Sequence, residues 1–259
     1  MKAPLWAAAL ACLSFSLAPE AAAVVLAIDV NHATNTTLTQ AGFEPFVVAN
    51  GPIPNATQAF GAYTVTLAGV AGTAVVPSPL PNPNVAPGNG NPSTNISARV
   101  RAQPVDNANF TMGSLLRDFA FSNDANNGGM DITITGLNPS SVFTLELWSY
   151  DNGSGGTRVS DWSANGTLIQ ENYTFINGSP APTPDSDNFG KFTASVTSDA
   201  AGVLLISGRR DETSRSGANN VVDVGVFFNG LRLTAIPEPS AALLLLAGAV
   251  LGARRRSRR

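Results

Sequence analysis

Cysteine is almost absent from this chain. Cys12 is the only one in 259 residues, and it lies in an apolar N-terminal stretch. Removal of that stretch leaves no thiol, so disulfides, thiolate chemistry and cysteine-rich metal sites are excluded from the remainder. Histidine is also represented once, by His32. With one histidine and no G-x-S-x-G elbow, most nucleophile–base arrangements of hydrolases drop out. Charge is scarce as well, at 13% of residues. Between Val24 and Ile236 there are 9 Lys and Arg against 16 Asp and Glu, a net of −7, and Lys191 is the one lysine there. Nucleic-acid affinity rests on phosphate neutralisation, so such a body is not built for that partner. Helical periodicity is missing too. The apolar residues recur every second position, which indicates strands.

The two ends carry addresses. Met1–Ala23 has a basic start at Lys2, an apolar stretch from Leu5 to Leu17, and Ala21-Ala22-Ala23 before Val24. That is the layout of a secretory signal peptide, with the Sec translocon and signal peptidase as implied partners. Ala9 stands where a lipobox before Cys12 would carry a large aliphatic residue.

At the other end, Pro237-Glu238-Pro239 precedes the apolar run Ala241–Ala253 and five arginines within Arg254–Arg259. At ~1.5 Å per residue the run spans ~20 Å as a helix, short of a ~30 Å hydrocarbon core. Snorkelling arginines and local thinning can make up the difference. The prolines block helical extension upstream, and the arginines favour a cytoplasmic C-terminus. This segment, residues 236–259, resembles the PEP-CTERM tail of bacterial exported proteins. The resemblance implies an exosortase-like processing enzyme, transient anchoring in the cytoplasmic membrane, and final placement in the outer envelope, cell surface or extracellular matrix.

The body, residues 24–235, reads as one all-β domain. Strands are expected at Val24–Val30, Phe43–Ala49 (with Pro45 marking an edge or a bulge), Tyr63–Leu67, Ile96–Ala102, Phe119–Phe121, Met130–Thr135, Val142–Tyr150, Phe189–Val196, Val203–Ser207 and Val222–Leu233. The last breaks at Asn229-Gly230. Pro77–Pro92 reads as a loop, and Gly113–Asp118 as one or two helical turns. About ten short strands with turns between them predict an antiparallel β-sandwich. The hairpin GLNPSSVFTLELWSYD and the closing strand VGVFFNGLRLT resemble those of galactose-binding-like jelly rolls. These are the folds of many carbohydrate-binding modules and of discoidin and malectin-like domains. The resemblance covers Leu115–Thr234 and implies glycan binding at loops on the sandwich edge.

Trp148, Tyr150, Asp151, Asn152, Arg158, Asp161 and Trp162 crowd one glycine-rich stretch. Sugar recognition needs flat aromatic faces and polar groups for hydroxyls, and this stretch supplies both. The competing reading places both tryptophans at the sandwich edge as structural caps, with Asp151-Asn152-Gly153 as a turn. Arg209, Arg210, Asp211, Glu212 and Arg215 form a second group. It either grips the carboxylate or sulfate of an acidic sugar or pairs internally in solvent. A structural calcium is the one cofactor the family resemblance implies, and Asp29, Asp106, Asp211 and Asp223 are its candidate oxygen donors. The expectation is a non-catalytic surface or matrix protein that engages exopolysaccharide. A structural envelope protein without ligand and a glycan-cleaving enzyme are the alternatives.

Overall fold

The computed structural model describes residues 23–34, 37–70, 95–122, 129–151, 153, 158–175, 184–210 and 226–237. The signal segment up to Ala22, the Pro77–Pro92 stretch and the tail from Glu238 lie outside these residues, so the expected terminal helices do too. One compact unit spans Val24–Ile236.

Fourteen strands form among the described residues. The N-terminal half contributes β1 (Val24–His32), β2 (Glu44–Val48), β3 (Asn55–Phe60), β4 (Tyr63–Val70), β5 (Ile96–Val100) and β6 (Asp118–Ser122). Then come β7 (Gly129–Thr135), β8 (Val142–Trp148), β9 (Arg158–Ala164), β10 (Thr167–Phe175), β11 (Lys191–Thr197), β12 (Leu204–Arg210), β13 (Phe227–Phe228) and β14 (Gly230–Ala235). They make a five-stranded sheet in the order β11-β8-β14-β1-β2 and a six-stranded sheet in the order β10-β9-β12-β7-β4-β3. A small third sheet has the order β13-β6-β5. Residues 113–117 form turns rather than a regular helix.

Alternation sets the faces. In β7, Met130, Ile132 and Ile134 are buried while Asp131, Thr133 and Thr135 are partly exposed. In β8, Phe143, Leu145 and Leu147 point inward. Aromatic contacts join the two large sheets at both margins. Phe46 on β2 stacks on Phe60 of β3, with centroids 6.2 Å apart. Across the other margin, Phe192 on β11 meets Trp162 of β9 at 5.8 Å and Tyr173 of β10 at 5.3 Å.

One pairing departs from the antiparallel expectation: β1 and β2 run parallel, with Ile28 opposite Glu44 and His32 opposite Val48. Parallel neighbours need a crossover rather than a hairpin, and residues 33–43 provide it. Pro45 sits on the edge strand of its sheet, where a missing N–H does no harm. The Gln58 side chain then covers that edge, accepting from Val47 N at 3.1 Å and donating to the Pro45 carbonyl at 2.6 Å. This occupies groups that would otherwise recruit a further strand.

The three strands that the alternation does not predict are β3, β9 and β10. β3 and β10 are the edges of the six-stranded sheet. β9 turns Ser160, Trp162 and Ala164 inward, a face with one large apolar residue. The turn between β9 and β10 carries the missed signal. Asn165 and Gly166 have φ of 45° and 79°, the conformation that favours Asn-Gly in two-residue hairpins.

Trp162 therefore belongs to a core strand and not to a loop. Its register partner on β12 is Gly208, and a Cβ at Gly208 would lie 2.8 Å from the indole. A glycine within a strand signals such a close approach. The indole N–H donates to Ser160 Oγ at 3.0 Å, so the ring is both packed and satisfied. Trp162→Ala is expected to cost about 3–5 kcal/mol of unfolding free energy, the range for large-to-small core substitutions. Urea denaturation of the mature protein checks this; an unchanged midpoint would return Trp162 to the surface.

Candidate functional site

One end of the sandwich gathers the polar residues, and the chain gets there by switching sheets at Asn229. β13 pairs with β6, whereas β14 pairs with β1 and β8. Asn229, between them, accepts from Tyr150 N at 2.7 Å and donates to the Asp118 carbonyl at 3.0 Å. A Cβ on the next residue, Gly230, would lie 2.4 Å from the Ile28 carbonyl, so only glycine fits there.

Two acidic side chains are buried beside this junction. Asp118 Oδ1 and Oδ2 are held by Arg117 at 3.0 and 2.6 Å, and Oδ2 also accepts from His32 N at 3.2 Å. Asp29 has Oδ2 on Gln40 N at 2.7 Å, while its buried Oδ1 has no partner among the described residues. Burial pushes the Asp29 carboxyl up to about 8. The Gln40 N–H pulls it down, Asp118 adds to the rise, and Arg117 opposes it.

The rim lies further along β8 and β5. Arg101 Nε and Nη2 bond both oxygens of Asp151 at 2.7 and 2.9 Å, a two-pronged clamp on a carboxylate only 2% exposed. The guanidinium also sits 5.8 Å from the Phe119 ring centre. Gly153 donates to Asp151 Oδ1 at 2.9 Å, and a Cβ there would strike the Arg101 side chain. Sequence reasoning singled out Asp151 but missed Arg101. The partners stand 50 positions apart, and only the fold brings the residue after β5 to the segment that follows β8.

Trp148 and Trp162 are fully buried, so neither presents a ring to solvent in this conformation. The expected exposed tryptophan platform is thereby corrected. Trp162 fills the space above Gly208, and Trp148 is covered by Phe43 at 5.6 Å. Tyr150 is buried edge-on to Phe189 at 5.0 Å, and burial beside Asp151 raises its hydroxyl pKa to about 12. Asp161 accepts from Asn172 N at 2.8 Å. Arg209 is committed to Asp131 at 2.8 Å and to the carbonyls of Met130 and Gly208. It stands opposite Asp161 in the β12–β9 register, so the two sequence groups meet on one sheet. Backbone pairing places Arg158 opposite Phe175 and Arg210 opposite Ser160. Asn152, Asp211, Glu212, Arg215 and Asp223 lie outside the described residues. Asp106 accepts from Gly113 N at 2.9 Å and fastens a turn. His32 Nδ1 lies 2.7 Å from Thr34 Oγ1 and accepts from Thr34 N at 3.2 Å. Among the described residues, no three His, Cys, Asp or Glu side chains converge as metal ligands would.

No family model matches the chain, and no curated protein matches it. Solved structures do match in fold. A CBM35 from Paenibacillus barcinonensis is 17% identical over 54% of this chain and 89% of that one, with a TM-score of 0.29. A family 35 carbohydrate binding module from Clostridium thermocellum is 17% identical over 53% and 90%, with a TM-score of 0.30. The ANXUR1 extracellular domain from Arabidopsis thaliana is 10% identical over 83% of this chain and 49% of that one, with a TM-score of 0.41. All three are distant likenesses of an all-β body.

The Asp29 environment has a pH signature. In the unfolded chain the carboxyl ionises near 3.8, whereas in the fold it keeps its proton up to about 8. Its stabilising contribution is therefore complete below the unfolded value and is lost as pH rises towards 8. Asp29→Asn retains an acceptor for Gln40 N and replaces the protonated oxygen by an amide. Between pH 5 and 8 the thermal midpoint of the wild type should fall relative to that of Asp29→Asn. Parallel curves for the two proteins would show that Asp29 is ionised in the fold.

Proposed function

We propose that this is an exported, non-catalytic protein of the bacterial cell surface or extracellular matrix, and that its sandwich binds exopolysaccharide at the rim beside Arg101. The signal segment delivers the chain through the translocon. The C-terminal segment holds it in the cytoplasmic membrane until an exosortase-like enzyme acts at Pro237-Glu238-Pro239. In this reading the body is a galactose-binding-like jelly roll.

The observation that carries the binding reading is the Arg101–Asp151 clamp. A rigid guanidinium, stacked near Phe119 and fixed by a buried carboxylate, costs little entropy when it engages a hydroxyl or an anionic group of a sugar. Its outer edge is accessible, since the side chain is 23% exposed. The net charge of −7 between Val24 and Ile236 argues for a partner other than nucleic acid.

Two experiments test the proposal. On a glycan array, the mature protein should retain at least one polysaccharide, and Arg101→Lys should weaken that retention by about tenfold, because lysine keeps the charge but loses the planar fork. Array binding that is absent, or indifferent to Arg101→Lys, removes the rim site. For sorting, Ala substitution of Pro237, Glu238 and Pro239 should leave export intact and trap a membrane form of unprocessed mass. Mass spectrometry reads this directly. An unchanged mature mass and location would reject the sorting motif.

A further inference from the structure

The outer face of the five-stranded sheet holds an unusual row. In register across the strands lie Lys191, Trp148, Gly230, Asp29 and Pro45. The neighbouring row places Thr193, Glu146, Arg232 and Ala27 side by side. An indole on the outer face of a sheet ordinarily meets solvent, yet Trp148 is fully buried. The Phe43 ring stands edge-on to it, 5.6 Å away at 77°. Lys191 Nζ and Arg232 Cζ lie 5.3 and 5.9 Å from the indole centre, and Glu146 pairs with both cations. The Trp148 Nε1 donor is buried with no partner among the described residues. A buried donor left unmade costs about 1–3 kcal/mol, so packing for stability alone would not favour it.

We propose that the Trp148 face is a second glycan subsite, that Phe43 occupies it from within the chain, and that a sugar ring enters when residues 37–43 lift away. This rests on the glycan-binding reading above. With Phe43 displaced, the indole offers a flat face for sugar C–H groups and an unused N–H donor. Lys191 and Arg232 supply further donors, and Glu146 supplies the acceptor. That is the mixture of one aromatic face and a few placed polar groups that a small polar ring requires.

The segment carrying Phe43 is fastened chiefly through Gln40. Gln40 N donates to Asp29, Nε2 donates to the Thr111 carbonyl at 2.9 Å, and Oε1 accepts from Leu115 N at 3.3 Å. Thr39 Oγ1 adds a bond from Asn31 at 3.0 Å. The outer side is uncovered: Leu38 is 45% exposed, and Ala41 and Gly42 are exposed. Gly42, next to Phe43, has φ of 81° and nothing within 4 Å of where a Cβ would stand. A subsite closed most of the time binds more weakly by the fraction that is open, so removing the internal occupant strengthens binding.

The test compares mature wild type, Phe43→Ala and Phe43→Ala/Trp148→Phe on the same glycan array, with tryptophan emission recorded for each. Phe43→Ala should shift emission to longer wavelength and tighten retention of at least one glycan by about tenfold. The added Trp148→Phe should remove that gain. A red-shifted Phe43→Ala protein with no gain on any glycan overturns the proposal. An unshifted, folded Phe43→Ala protein does so as well, since Phe43 is then not the cover. If Phe43→Ala does not fold, Gln40→Ala removes the side-chain bonds to Thr111 and Leu115 while keeping the ring and the Gln40 N–H bond to Asp29, and its emission and array binding are read by the same criteria. Wild-type retention that depends on Arg101, with nothing added by opening residues 37–43, would leave the rim reading standing and this one rejected.

Discussion

Asn229 is the residue through which the sheets are tied together. Its backbone N–H donates to the Trp148 carbonyl, and its carbonyl accepts from Val30 N. Its side chain holds Tyr150 N and the Asp118 carbonyl. These four bonds bind the end of β8, the start of β6 and the C-terminal part of β1 at the point where the closing strand leaves the small sheet for the five-stranded one. Buried backbone groups at such a crossing have no ladder partner, and an amide can satisfy a donor and an acceptor at once. The placement of Asp29, Asp118 and Tyr150 follows from that knot.

The aromatic residues divide into those that join the two large sheets and those that cluster on the small one. Phe46, Phe60, Trp162, Tyr173 and Phe192 bridge the two large sheets at their margins. Phe119, Phe121 and Phe227 form a separate cluster on the small sheet, with Phe119 5.2 Å from Phe227 and the Arg99 guanidinium 5.0 Å over Phe121. Two arginines, Arg99 on β5 and Arg101 just after it, thus rest on aromatic rings, which fixes long side chains that would otherwise sample many rotamers. Preorganisation of this kind makes a rim charge useful for recognition.

Much of the architecture was legible from alternation. β7, β8 and β11 are half-buried strands in which apolar residues recur at every second position, so their inward faces could be read directly. β3 and β10 were not legible, because β3 carries a single large apolar residue, Phe60, and the register shifts in β10 break its alternation and leave Leu168 exposed. β9 was hidden because its core face relies on a single tryptophan seated over a glycine of the adjacent strand. The parallel β1–β2 pair was beyond reach as well, since alternation carries no information about the direction in which neighbours run.

The all-β class, the break at Asn229-Gly230 and a body without thiols or lysine-rich surfaces are written in the chain itself. These depend on local periodicity, turn chemistry and counting, which need no long-range contact. The candidate site, by contrast, depends on long-range packing. Trp148, at the end of an expected strand, and Trp162, beyond a glycine-rich stretch, both read as candidate ring faces, yet one is covered by a segment a hundred residues earlier and the other by the sandwich core. Arg101, silent in the sequence, meets Asp151 across 50 residues. Exposure and ion pairing are properties of neighbours brought together by folding, and no local pattern encodes them.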